Sequence, residues 1–209
     1  VLCVVCSLAV STAAVTLRPR QEANQRLEQQ KNILDATGLA IGEYGRPASD
    51  LDREQIDELN GWISEKLVNL QSGEYDENTD ITAYDLVEAT AAAGTSVPIT
   101  DPEFNPGEPR RPKVMKVFFV RRPESDSSDG QGDIRQVVLP VFGKGLWGTL
   151  YGYLAVKSDL ETIQGITFYQ HKETPGLGGE VDNPRWKAQW EGKKLFDAKR
   201  VDVFSFDFG

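Results

Sequence analysis

Thr149-Leu150-Tyr151-Gly152-Tyr153-Leu154-Ala155-Val156-Lys157 and Thr162-Ile163-Gln164-Gly165-Ile166-Thr167-Phe168-Tyr169-Gln170 decide the fold. Both runs are rich in β-branched and aromatic residues and are bounded by polar turns, so both read as strands. Two more such runs precede them, Val114 to Arg121 and Ile134 to Phe142. The Ser/Asp/Gly stretch Asp126 to Asp133 between those two reads as a hairpin tip. Parallel strands need long crossovers, usually helical. No such helical pattern separates these four runs, so an antiparallel sheet is predicted.

Helical patterns lie mostly upstream. Gln21 to Asp35 reads as a polar helix, a stalk. Asp52 to Leu70 reads as a second helix: Asp52 and Gln55 have capping-box spacing, and Ile56, Leu59, Ile63 and Leu67 form one apolar stripe. Tyr84 to Ala93 reads as a short helix. Pro98, Pro102, Pro106, Pro109 and Pro112 then mark an irregular exposed connection. After the strands, Asn183 to Trp190 reads as a helix with Trp186 and Trp190 on one face. The class is therefore α+β, an antiparallel sheet packed with helices.

Val1 to Leu17 carries no charge and is stopped by Arg18, Pro19 and Arg20. A spanning helix needs about 20 apolar residues. The run reads as the C-terminal part of a transmembrane helix whose start lies outside these residues. A secretory signal peptide competes with that reading, but the charged helix that follows favours an anchor. Cys3 and Cys6 read as small apolar side chains within it, and with no other cysteine there is no disulfide framework. Three regions follow: 1–17 as the membrane helix, 18–112 as stalk and helical part, and 113–209 as the sheet-rich domain.

A net charge of -9 argues against nucleic acid, whose phosphates call for a basic surface. His171 is the single histidine, which rules out a triad or zinc site built on several. No catalytic residue and no metal ligand are assigned. Two glycine-rich loops remain: Gly143-Lys144-Gly145-Leu146-Trp147-Gly148 and Glu173-Thr174-Pro175-Gly176-Leu177-Gly178-Gly179-Glu180-Val181. Glycine permits both close ligand approach and tight turns, so each loop alone is compatible with either role. Neither matches a Walker A loop or a dinucleotide fingerprint. His171 reads as a strand-end surface residue, and Glu173 and Glu180 as solvated flanking charges.

The two loops taken with His171 to Trp186 and Gln189-Trp190-Glu191-Gly192-Lys193 resemble the C subunit of the sodium-translocating NADH:quinone reductase. The resemblance covers nearly the whole chain. It implies FMN as cofactor, electron relay from NADH toward ubiquinone, and five partner subunits in a six-subunit sodium pump. It also implies a bacterial inner-membrane protein with a single transmembrane helix and a periplasmic domain. The cofactor-binding residues it implies are Lys144, Gly145, Leu146, Trp147, Glu173, Thr174, Gly176, Leu177 and Gly178. Leu146, Trp147 and Leu177 would supply apolar contact, and Thr174 and the loop glycines hydrogen bonds.

In this family a threonine in a Ser-Gly-Ala-Thr-type motif carries FMN covalently. The present chain departs there: it runs Val201-Asp202-Val203-Phe204-Ser205-Phe206-Asp207-Phe208-Gly209 and contains no such motif. The attachment segment is therefore expected to be missing. Two other readings stay open: an Rnf-type electron-transport flavoprotein subunit, which shares the Glu-Thr-Pro-Gly core, and a non-catalytic membrane-anchored assembly module.

Overall fold

A computed structural model describes residues 2–100, 106, 108–121 and 133–196. In chain order the elements are α1 (Leu2–Thr37), α2 (Leu39–Tyr44), α3 (Arg53–Asn60), β1 (Ile63–Asn69), α4 (Leu86–Ala91), β2 (Ser96–Pro98), β3 (Arg110–Pro112), β4 (Val114–Arg121), β5 (Ile134–Lys144), β6 (Thr149–Lys157), β7 (Ile163–Gln170) and α5 (Pro184–Ala188). The main sheet is five-stranded in the order β1-β4-β5-β6-β7, and every neighbouring pair is antiparallel. The four strands read from sequence are thus strands at nearly the expected bounds. The Asp126 to Asp133 tip falls almost wholly in residues 122–132, outside the described residues.

One face of the sheet packs against the C-terminal end of α1. Ile33 and Ala36 lie with Phe118, Val120, Val138, Tyr153 and Ala155 in one buried cluster. A glycine on the edge strand permits close packing here. A Cβ on Gly165 would come within 2.5 Å of the Ala36 carbonyl, so the helix backbone lies directly on β7. Thr167 of β7 also donates its hydroxyl to the Asn32 carbonyl at 3.0 Å. The opposite face is covered by Trp190 and Leu195, which join Leu154, Val156, Ile163 and Ile166.

Four expectations change. The helix read over Asp52 to Leu70 stops at Asn60, and Ile63–Asn69 is strand β1, paired with β4 from Ile63↔Val120 to Asn69↔Val114. The capping box at Asp52 and Gln55 is present, and Ile56 and Leu59 are buried on α3. Ile63 and Leu67 are four residues apart, a spacing that keeps side chains on one face of a helix and of a strand alike. That ambiguity extended the helix too far. Second, the proline-rich connection contains the two-stranded β2–β3 ladder. Third, the stalk is continuous with the uncharged run in one 36-residue helix, and its end is core: Leu34 is fully buried. Fourth, α5 ends at Ala188, although the Trp186 and Trp190 rings still meet at 5.6 Å.

Among the described residues no helix is long and apolar enough to cross a membrane. The uncharged part of α1 from residue 2 to 17 spans about 24 Å at 1.5 Å per residue, against a hydrocarbon core of about 30 Å. Leu8, Val10 and Val15 on it are exposed.

Candidate functional site

β5 and β6 pair down to Lys144↔Thr149, so the chain must reverse over the next four residues. The Gly145 N–H donates to the Gly148 carbonyl at 2.8 Å, which closes a hairpin with Leu146 and Trp147 at its tip. Hairpin tips are normally polar, yet Leu146 is 76% exposed and Trp147 64%. β6 and β7 are hydrogen-bonded neighbours, and β7 leads straight into the second loop, so the sheet brings the two loops side by side. There Gly176, at φ +79°, makes a turn that other residues rarely adopt. The N–H groups of Leu177 and Gly179 both donate to the Thr174 carbonyl, at 3.1 and 3.0 Å. Leu177 stands 69% exposed at the crest.

Glu173 joins the loops. It is 8% exposed, and its Oε1 accepts the Trp147 backbone N–H at 3.0 Å. A carboxylate accepting a backbone N–H is among the stronger neutral–charged hydrogen bonds. Two of the glycines expected to meet a ligand make room for this carboxylate. A Cβ on Gly145 would overlap Glu173 Oε1 and the Leu150 side chain, and one on Gly178 would overlap Oε2. Glu173 is therefore not the solvated flanking charge expected from its sequence context. Glu180 is exposed and takes a hydrogen bond from Asn183 Nδ2 at 2.7 Å.

The base of the site is braced by contacts distant in sequence. The Thr149 and Tyr151 hydroxyls both donate to Glu108 Oε1 at 2.9 Å, fixing the strand that leaves the first loop. Burial, with this carboxylate beside it, pushes the Tyr151 phenol up to about 12. His171 is also built in: its Nε2 meets Asp182 Oδ2 at 2.7 Å, and its Nδ1 accepts the Glu173 N–H at 3.2 Å. Lys144 is exposed at the end of β5, and the aliphatic stem of Lys172 crosses Gly148.

The structure thus places Lys144, Gly145, Leu146 and Trp147 beside Glu173, Thr174, Gly176, Leu177 and Gly178. Sequence reasoning missed Glu108, His171 and Asp182. Nothing local signals Glu108, which acts across 41 and 43 residues. The attachment region at 201–209 lies outside the described residues.

Leu146 and Trp147 on one loop and Leu177 on its neighbour are exposed, as are Lys144 and Lys172, residue types that suit a planar, phosphate-bearing ring system. A sequence model described as the FMN-binding domain matches residues 145–205. The chain is 42% identical over 199 residues to the C subunit of the Na(+)-translocating NADH-quinone reductase of Pseudomonas aeruginosa, covering 95% of this chain and 71% of that protein. It is 39% identical to the same protein of Yersinia pestis, covering 94% and 69%. Among solved structures, NqrC of Shewanella oneidensis superposes with a TM-score of 0.70 at 32% identity, over 85% of this chain and 74% of that one.

Proposed function

The chain belongs to the NqrC family, the C subunits of the Na(+)-translocating NADH-quinone reductase, and from that premise we propose a site and a setting for its flavin. It is a flavin-carrying subunit of that oxidoreductase complex, with FMN as cofactor. The flavin-bearing region is the sheet-rich part, residues 113–209, and the binding surface is the two-loop crest. When bound, FMN supplies chemistry by one or two electrons. The protein supplies the rest. Leu146, Trp147 and Leu177 exclude water from the ring. Gly145 and Gly178 admit the Glu173 carboxylate, which locks the loops in register. Thr174 and Gly176 shape the crest, and Lys144 meets the phosphate. The observation that carries this reading is the Glu173–Trp147 clasp, which ties together two loops bearing the exposed Leu146, Trp147 and Leu177.

The setting is the inner membrane of a bacterium. The uncharged first half of α1 anchors the chain as a single pass, the rest faces the periplasm, and five partner subunits complete the complex. Support comes from the charge-free run to Leu17, the exposed Leu8, Val10 and Val15, and the family resemblance. The family's own attachment is through a threonine, and these 209 residues hold no Ser-Gly-Ala-Thr.

Titrating FMN with the chain tests the site. Flavin fluorescence is expected to be quenched on binding, and Trp147→Ala and Leu177→Ala to weaken the interaction. Unchanged affinity in both variants would refute the assignment. On a denaturing gel the bound flavin is expected to leave this chain.

A further inference from the structure

Backbone N–H groups only donate, so the contact between the Glu173 N–H and His171 Nδ1 requires Nδ1 to be an acceptor. The ring proton of the neutral imidazole then sits on Nε2, where it donates to Asp182 Oδ2 at 2.7 Å. Asp182 belongs to the 3-10 turn Gly178–Asp182 that closes the second loop, and its other oxygen lies 3.9 Å from Lys187 Nζ on α5. A continuous series of contacts therefore runs from Lys187 through Asp182, His171 and the Glu173 backbone to the Glu173 carboxylate and the Trp147 N–H. One half-buried imidazole connects the turn that ends the second loop to the clasp that holds the first.

We propose that His171 is a positioning residue for the two-loop crest: its unprotonated Nδ1 holds the Glu173 backbone, and protonation at Nδ1 releases it. An imidazolium carries N–H on both nitrogens. Its Nδ1–H would then point at the Glu173 N–H, donor against donor, and the hydrogen bond is lost. The Nε2–H···Asp182 contact survives as an ion pair, so the ring stays with the closing turn while Glu173 is freed. The charged group in contact with the ring is Asp182 on the closing turn, with Lys187 of α5 behind it; Lys172 and Glu173 adjoin His171 in sequence, with the Lys172 stem on Gly148 and the Glu173 carboxylate on the Trp147 N–H. The direction is fixed: the crest is ordered on the alkaline side of the imidazole titration and loosened on the acid side. The positional claim stands without a flavin, while its effect on binding rests on the function proposed above.

Because His171 is the only histidine, its ring can be followed alone in the 15N-labelled 209-residue chain in detergent. Two quantities are measured across pH: the His171 ring 15N shifts, and amide exchange protection relative to intrinsic rates. Protection of the Trp147 amide is expected to fall about threefold to tenfold on the acid side, the loss of roughly one hydrogen bond, with the same midpoint as His171. Protection at Gly145, whose bond to Gly148 lies inside its own hairpin, is expected to stay constant. His171→Asn places Oδ1 where Nδ1 was and is expected to restore Trp147 protection at every pH. His171→Gln places its amide toward Asp182 and is expected to lose that protection at every pH. FMN affinity should follow the same pattern, with a similar fold-change. Trp147 protection that is flat through the His171 titration would overturn the proposal, as would His171→Asn behaving like His171→Gln. Should His171→Gln not fold, the wild-type titration decides alone. Protection that tracks His171 in a chain with no FMN affinity would uphold the positioning role and remove the flavin site.

Discussion

The backbone N–H of Trp147 donates to Oε1 of Glu173 at 3.0 Å across 26 residues of chain. Neither loop has a regular element of its own at that point, so this contact adds to the β6–β7 pairing in fixing their relative position. Glu173→Ala is expected to lower stability by about 1–3 kcal/mol, the range for removing a buried hydrogen-bond partner. FMN affinity should fall with it. Calorimetry and flavin quenching on the same preparation check both.

Gly145→Ala tests the same clasp from the other side. Its Cβ would overlap the Glu173 carboxylate and the Leu150 side chain. Overpacking of this kind costs about 1–3 kcal/mol. Since both substitutions displace one carboxylate, their effects should not add. A double mutant with Glu173→Ala is expected to fall short of the sum by at least ~0.5 kcal/mol in a thermodynamic cycle.

Leu146→Ala and Leu177→Ala separate stability from binding. Both side chains are mostly exposed. Their removal should shift folding stability by no more than about 0.5 kcal/mol. The loss is expected in flavin affinity, read by titration. A fall in melting temperature without a fall in affinity would mean that the crest serves folding instead.

Asp35 makes stability depend on pH. Burial holds its carboxyl above the ordinary 3.8, opposed by the Ala48 N–H at 2.8 Å and by Lys187. A raised folded value means that the folded state binds the proton more tightly. The stabilisation is complete below the unfolded value and is lost as pH rises through the folded one. At neutral pH the ionised group therefore opposes folding. Asp35→Asn keeps an oxygen for Ala48 and is expected to raise the melting temperature at pH 7, with the gain vanishing below the ordinary 3.8. A lower melting temperature at pH 7 would show that the Ala48 and Lys187 contacts outweigh burial.

Gly165→Ala and Gly42→Ala should differ in sign. The first drives a methyl into the Ala36 carbonyl and parts α1 from β7, for about 1–3 kcal/mol lost. The second sits within α2 with nothing within 4 Å, and is expected to gain up to about 1 kcal/mol from helix propensity. Chemical denaturation of the two variants reads the contrast.

What could be read from the sequence follows from what is local. β4 to β7 show themselves through β-branched and aromatic runs, and Asp52 with Gln55 announces α3. Ile63 and Leu67 misled because their spacing suits two periodicities. The β2–β3 ladder is two short strands among prolines, with too few residues to show any period. At the site, glycine content and the apolar Leu146, Trp147 and Leu177 were legible. The burial of Glu173 was not, because it is created by Gly145 and Gly178 approaching from two separate loops. Glu108 acts on Thr149 and Tyr151 through contacts that no window of sequence contains.

Helix α1 has one further consequence. Its last turns are part of the hydrophobic core through Ile33, Leu34 and Ala36, while its first half stands clear of the sheet. At 36 residues it is about 54 Å long. A helix that is core at one end and free at the other behaves as a rigid lever. Whatever grips residues near Val10 also sets the height and heading of the loops at the far end of β5 and β7. The domain then cannot swivel independently of that grip, except where Pro19 interrupts the hydrogen-bond ladder. Aim is thus built into the backbone, and a partner that holds the lever selects which way the crest faces.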